Sequence, residues 1–324
     1  MAETEQTGIV ALLVADAKDE HAAVVQYLNH AYAMGEGELA AEIEAIARDE
    51  MRHYDWLCEA IVELGGDPPV ERGFVDRAGA TIPEWMQADV RAEERAIAQY
   101  RAHQAAIQDP ALKRLIERIL WDEESHRAKF AHFVEKAQME GLIPPTPEAA
   151  VDTAGTGRVR DILNQGIRHE YTVILQYLYH SFLMPECEVG REMEMQAINE
   201  MQHLGWLAEE LSGLGGQPEI EHTEIDLSQE TPAMLRADIA AERAVEQVYS
   251  SQLQEIEDPD LRGLVDMIRK HEAYHAEVFT DLLAEVEAEQ RKGGGAEEPG
   301  GGGAEERGSN LLGQFTVGSL LGNK

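Results

Sequence analysis

The sequence is short of cysteine, of aromatic residues and of basic charge. Two cysteines, Cys58 and Cys187, occur in 324 residues, and neither belongs to a CxxC pair. That argues against a disulfide framework and suits a reducing cytoplasm. Cys58 lies in a helical pattern and is expected to be a small buried hydrophobe. Aromatics make up only 6% of the chain, beside abundant Ala, Glu, Leu and Ile, a composition that favours helices. Lys and Arg number 27 against 62 Asp and Glu, a formal charge of −35. Such a surface repels nucleic acid and anionic membranes, so neither is expected as a partner, and it gathers cations. Apolar runs are too short to cross a bilayer. The opening MAETEQTG is acidic and lacks a basic region, which predicts no export signal.

What is present is a repeat. Gln26-Tyr27-Leu28 returns as Gln176-Tyr177-Leu178, and Leu64-Gly65-Gly66 as Leu214-Gly215-Gly216, each 150 positions on. Asp109-Pro110 returns as Asp258-Pro259 at 149, so one residue is lost near the third helix of the second half. Each half reads as four helices, at 6–33, 36–64, 83–107 and 110–139, then 157–183, 187–214, 232–256 and 259–290. The paired glycines stop the second helices with a left-handed residue. Thr81 to Glu84 reads as a capping box opening the third helix. Thr231-Pro232 is expected to start its copy, with Thr231 as the cap. The fold class is therefore all-α, with two tandem four-helix bundles. The divisions are bundle one at 1–142, a linker at 143–156, bundle two at 157–291, a flexible Gly-rich linker at 292–309 and a terminal segment at 310–324.

Acids and histidines recur at helical spacing. Glu50 and His53 lie three apart on the second helix, as do Glu123 and His126 on the fourth, so each pair shares one helix face. Glu20 on the first helix and Glu93 on the third complete a set. The second half repeats it with Glu170, Glu200, His203, Glu242, Glu272 and His275. Carboxylates can bridge two cations while imidazoles supply terminal nitrogen. A single ExxH would say little in so acidic a chain. Two per bundle, with a Glu on each remaining helix, all duplicated, specify a metal centre. Glu94 and Glu124 compete with Glu93 and Glu123, but they align with Arg243 and Ala273, which cannot serve.

The one short, one long, one short connection pattern is that of ferritin-like bundles. The segments DEMRH and NEMQH, with ADVRAE (88–93) and ADIAAE (237–242), resemble the corresponding helices of bacterioferritins. The resemblance covers residues 6–290. It implies two irons per bundle, bridged by Glu50 and Glu123, and by Glu200 and Glu272. Glu20, Glu93, Glu170, Glu242 and the four histidines would be terminal ligands. It further implies that Tyr27 and Tyr177, seven residues after Glu20 and Glu170, lie beside the centres and supply an electron. Met51 and Met201 match the haem-ligating methionine of bacterioferritins, so the fused bundles could clasp one haem. His30 and His180 also repeat and are expected to act as helix-end caps. The implied activity is a ferroxidase oxidising Fe(II) with O₂ or H₂O₂ for mineral storage. Rubrerythrin-like peroxide reduction and a non-catalytic iron or haem carrier are the alternatives. A homo-oligomer is compatible with either.

After the Gly-rich tether comes an apolar segment. Its Thr316-Val317-Gly318-Ser319-Leu320, preceded by Phe315, resembles the cargo-loading peptide of encapsulin systems. An apolar peptide on a flexible tether suits a groove on another protein. The resemblance implies an encapsulin shell protein as partner and residence inside that nanocompartment.

Overall fold

The computed structural model describes residues 3–35, 37–144, 156–184 and 187–293. The tether beyond Gly293, the segment Phe315 to Leu320 and linker residues 145–155 lie outside the described residues. Eight helices occur among those described: α1 (Glu3–Met34), α2 (Glu38–Glu63), α3 (Ile82–Ala106), α4 (Pro110–Glu140), α5 (Thr156–Phe182), α6 (Glu188–Gly213), α7 (Thr231–Gln252) and α8 (Pro259–Gly293). No strand is found among these residues.

The helix boundaries follow local chemistry. Thr81 accepts from the Glu84 amide while Glu84 reaches back, so the capping box forms. Asp109 accepts from the Ala111 and Leu112 amides, and Asp258 does the same for Asp260 and Leu261. Gly65 and Gly215 take φ of 73° and 70° after α2 and α6, as left-handed stops require. Thr231 differs from expectation. Glu230 holds the cap position, and the Thr231 hydroxyl donates to Met184 Sδ, tying the crossover to the end of α5. Helix α7 also stops short of 256. The chain turns after Gln252 and buries Ile256, as it buries Ile107 in the first half.

Helix α1 packs on α2 and α3 on α4, with long crossovers between the pairs, and the second half does likewise. The bundles then lie side by side through α1 and α2 against α5 and α6. One apolar cluster runs through both, including Leu13, Leu57 and Ile61 of the first with Ile167, Leu175 and Leu207 of the second. At the seam the Tyr171 hydroxyl and His21 Nε2 share a hydrogen bond of 2.5 Å. Positions 21 and 171 are repeat equivalents, so a pseudo-two-fold axis passes between them. The crossovers brace the seam: Arg72 pairs with Glu221 at 2.6 Å, and Tyr179 donates to Asp67 at 2.9 Å. No described helix is long and apolar enough to cross a membrane.

Candidate metal centres

Inside each bundle the four helices turn one carboxylate apiece, and two of them an imidazole, toward the same point. All twelve expected residues converge, and each is buried. In the first bundle His53 Nδ1 lies 2.9 Å from Glu50, 3.0 Å from Glu123 and 3.5 Å from Glu20. His126 Nδ1 lies 2.9 Å from the other Glu50 oxygen. The second bundle repeats this. His203 Nδ1 is 2.7 Å from Glu200, 3.0 Å from Glu272 and 3.7 Å from Glu170. His275 Nδ1 is 2.7 Å from Glu200 and 3.7 Å from Glu242.

The ligand atoms sort into two groups of four per bundle, each within 4.8 Å. Glu20, Glu50, His53 and Glu123 form one, and Glu50, Glu93, Glu123 and His126 the next. Glu50 and Glu123 belong to both, so two adjacent cations would share two carboxylates. Glu200 and Glu272 hold that place in the second bundle. Buried carboxylates without cations are costly. Inward oxygens of Glu50, Glu93, Glu123, Glu170, Glu200, Glu242 and Glu272 are left without a well-formed hydrogen bond, and Nδ1 of His126 and His275 meet only glutamate oxygens of the same clusters. This buried set of carboxylates and imidazoles fits a pair of metal ions.

Proton affinities state the same demand. Burial, and then the charges of Glu123 and Glu50, push Glu20 and Glu93 well above the ordinary carboxylate range. Burial and three neighbouring glutamates do so for Glu272. Glu200 is pushed up to about 7 by burial and Glu242. Burial also raises Glu50, but His126 and His53 override it and hold this carboxyl below its usual value. Burial opposes charge on the histidines, yet the surrounding carboxylates raise His126 and His203 to about 10 and His275 to about 9. Protons hold the site together until metal displaces them.

The tyrosines frame each centre. Tyr27 donates to Glu93 Oε1 at 2.5 Å, and Tyr177 to Glu242. Sequence reasoning missed their counterparts: Tyr100 donates to Glu20, and Tyr249 to Glu170. Tyr100 and Tyr249 follow Glu93 and Glu242 by seven residues, the spacing already noted for Tyr27, so the signal was present. Helices α1 and α3 thus exchange tyrosines, each steadying the other's glutamate.

Two other expectations resolve differently. His30 and His180 are not helix-end caps. His30 is buried against Asp89 of α3 at 2.9 Å, and His180 against Asp238 of α7 at 3.1 Å. The reason is tertiary: Asp89 and Asp238 are wholly buried and need partners. Met51 and Met201 stand apart from the metal centres. They line one cavity of about 410 Å³ between the bundles, with Val24, Leu28, Ile174 and Leu178.

The ferritin-like domain family matches twice, over residues 10–139 and 160–290. A bacterioferritin of Desulfovibrio desulfuricans is 34% identical over 110 residues, covering 32% of this chain and 62% of its own length. One from Streptomyces coelicolor is 36% identical over 113 residues, covering 33% of this chain and 68% of itself. The chain therefore spans just under two thirds of the first relative. Among solved structures, a Desulfovibrio desulfuricans bacterioferritin is 31% identical, with 42% of this chain and 83% of that one aligned and a TM-score of 0.40.

Proposed function

Because the chain belongs to the ferritin-like domain family, we propose that it is a ferroxidase carrying a di-iron centre in each bundle and acting as cargo inside an encapsulin shell. The observation that carries the enzymatic part is the pair of overlapping four-ligand groups sharing two glutamates, built twice. A carboxylate-rich pair of metal ions joins two one-electron oxidations to one two-electron acceptor. Fe(II) is the substrate. Two Fe(II) yield two electrons, and O₂ with two protons becomes H₂O₂, or H₂O₂ with two protons becomes two waters. The chain's own residues supply binding and water exclusion. Each centre is walled by buried side chains, and Tyr27, Tyr100, Tyr177 and Tyr249 fix the four terminal carboxylates by hydrogen bonds. The tyrosines also stand where an electron or proton could pass to the site.

The cargo role rests on the sequence of Phe315 to Leu320 and on the Gly-rich composition of the segment before it. The shell would then hold the ferric product. Haem is a secondary reading, favoured by Met51 and Met201 lining one cavity. Their thioethers would hold its iron, and Arg48 and Arg52 in the same lining would supply positive charge for its carboxylates.

One experiment with two variants tests the proposal. Metal-depleted protein should regain Fe(II) oxidation on adding iron, and Glu50→Ala with Glu200→Ala should abolish it. Removal of residues 310–324 should leave oxidation intact and end co-purification with the shell. Unchanged oxidation in the double variant overturns the enzyme, and unchanged shell loading overturns the cargo role.

A further inference from the structure

The inner ligands of the two centres are identical, but the residues behind them are not. In the first bundle His53 Nε2 faces Asp122 at 3.5 Å and His126 Nε2 faces Asp49 at 3.4 Å. Each aspartate is held in turn by an arginine: Arg118 lies 3.1 Å from Asp122, and Arg52 3.1 Å from Asp49. At the repeat positions stand His271 for Asp122, Asn199 for Asp49, Met267 for Arg118 and Gln202 for Arg52. All four charged residues have been replaced, and they have been replaced as pairs. His203 Nε2 meets His271 Nδ1 at 2.9 Å, with the rings stacked. Asn199 donates instead to Gln196 at 3.1 Å.

This bears on metal because all four ligand histidines turn Nδ1 inward. Coordination at Nδ1 leaves the proton on Nε2. A carboxylate beside that N–H draws on the proton, pushes electron density to Nδ1 and strengthens the bond to the cation. At 3.4–3.5 Å the aspartates act chiefly through their charge. A neutral imidazole accepting from His203 polarises it less. His271 is also solvent-exposed, so it is a softer support than an aspartate clamped by arginine.

Building on the di-metal reading above, we propose that the two centres are inequivalent: the first binds divalent metal more tightly and fills first, and Asp49, Asp122 and His271 are the positioning residues that set the difference. Outer partners of this kind typically change metal affinity about 10- to 100-fold. The molecule thus holds one retentive centre and one that yields its metal.

The test uses the full chain with one centre disabled at a time, titrated anaerobically with Co(II). Glu200→Ala leaves the first centre, and Glu50→Ala leaves the second. The first should bind Co(II) about 10-fold or more tightly. Asp122→His added to Glu200→Ala should weaken binding toward the second centre's value, and Asp122→Asn should fall between, since it keeps shape and removes charge. His271→Asp added to Glu50→Ala should tighten binding. Helical content of each variant, read by circular dichroism, separates loss of affinity from loss of fold. Equal affinities in the two single-centre proteins, or exchanges that move nothing, overturn the inference while the di-metal reading stands. No Co(II) binding by either protein overturns both.

Discussion

At the scale of single residues, the buried acids divide into those left for a cation and those already answered by the protein. Every glutamate of the centres but Glu20 keeps an orphaned oxygen. Asp89 does not: it accepts from Gln26 at 2.8 Å and pairs with His30 at 2.9 Å. Asp238 accepts from Gln176 at 2.8 Å and pairs with His180. These clamps join α1 to α3 and α5 to α7 one helical turn from the metal ligands Glu93 and Glu242. Both members of the His30–Asp89 pair are nearly inaccessible, so removing His30 takes away one of the two partners of a buried acid and leaves Gln26 alone. His30→Leu should therefore cost about 3–5 kcal/mol in urea unfolding, while a conservative change at an exposed site such as Glu94 should cost little. The histidine was visible as a repeat but its partner was not, because no spacing within one helix shows which buried acid lies across the bundle.

At the scale of the helix, starts and stops were legible wherever the signal is local. The capping box at Thr81, the aspartates before Pro110 and Pro259, and the glycines after α2 and α6 act within a few residues of themselves. The ligand set was legible for the same reason, since an i, i+3 pair is a property of one helix. The outer ring was not, because Asp122 gains meaning only from His53 on another helix. The start of α6 falls where the sequence placed it, but the chemistry of its cap was not legible. Cys187 caps it through sulfur, accepting from the Gly190 amide at 3.3 Å, as the chain curls back against Met184. A side chain at Gly190 would place Cβ 2.1 Å from the Met184 carbonyl oxygen. Gly190→Ala should therefore shift that backbone and lower stability by about 1–3 kcal/mol in urea. Ala40, its counterpart in α2, shows that the helix itself tolerates the methyl group.

At the scale of the whole molecule, the centres make stability depend on pH and metal together. Without metal, Glu20, Glu93 and Glu272 bind protons more tightly than in the unfolded chain, as do His126, His203 and His275. The folded state then carries more protons than the unfolded one from about pH 5 to about pH 10, so stability falls as pH rises. Glu50 and Glu170, held below their ordinary values, contribute in the opposite direction only at more acid pH. Chelator-treated protein should melt at a lower temperature at about pH 9 than at about pH 6, and Co(II) should remove that fall. A melting temperature that rises with pH in the chelated protein would contradict this. The seam carries a different consequence. In a pair of identical bundles position 21 would meet its own copy, and each choice there would have to suit itself. Joining the copies in one chain lifted that constraint, so an imidazole at 21 could settle against a phenol at 171. Each half has become a mould of the other, and severed halves would recognise their opposite number in preference to themselves.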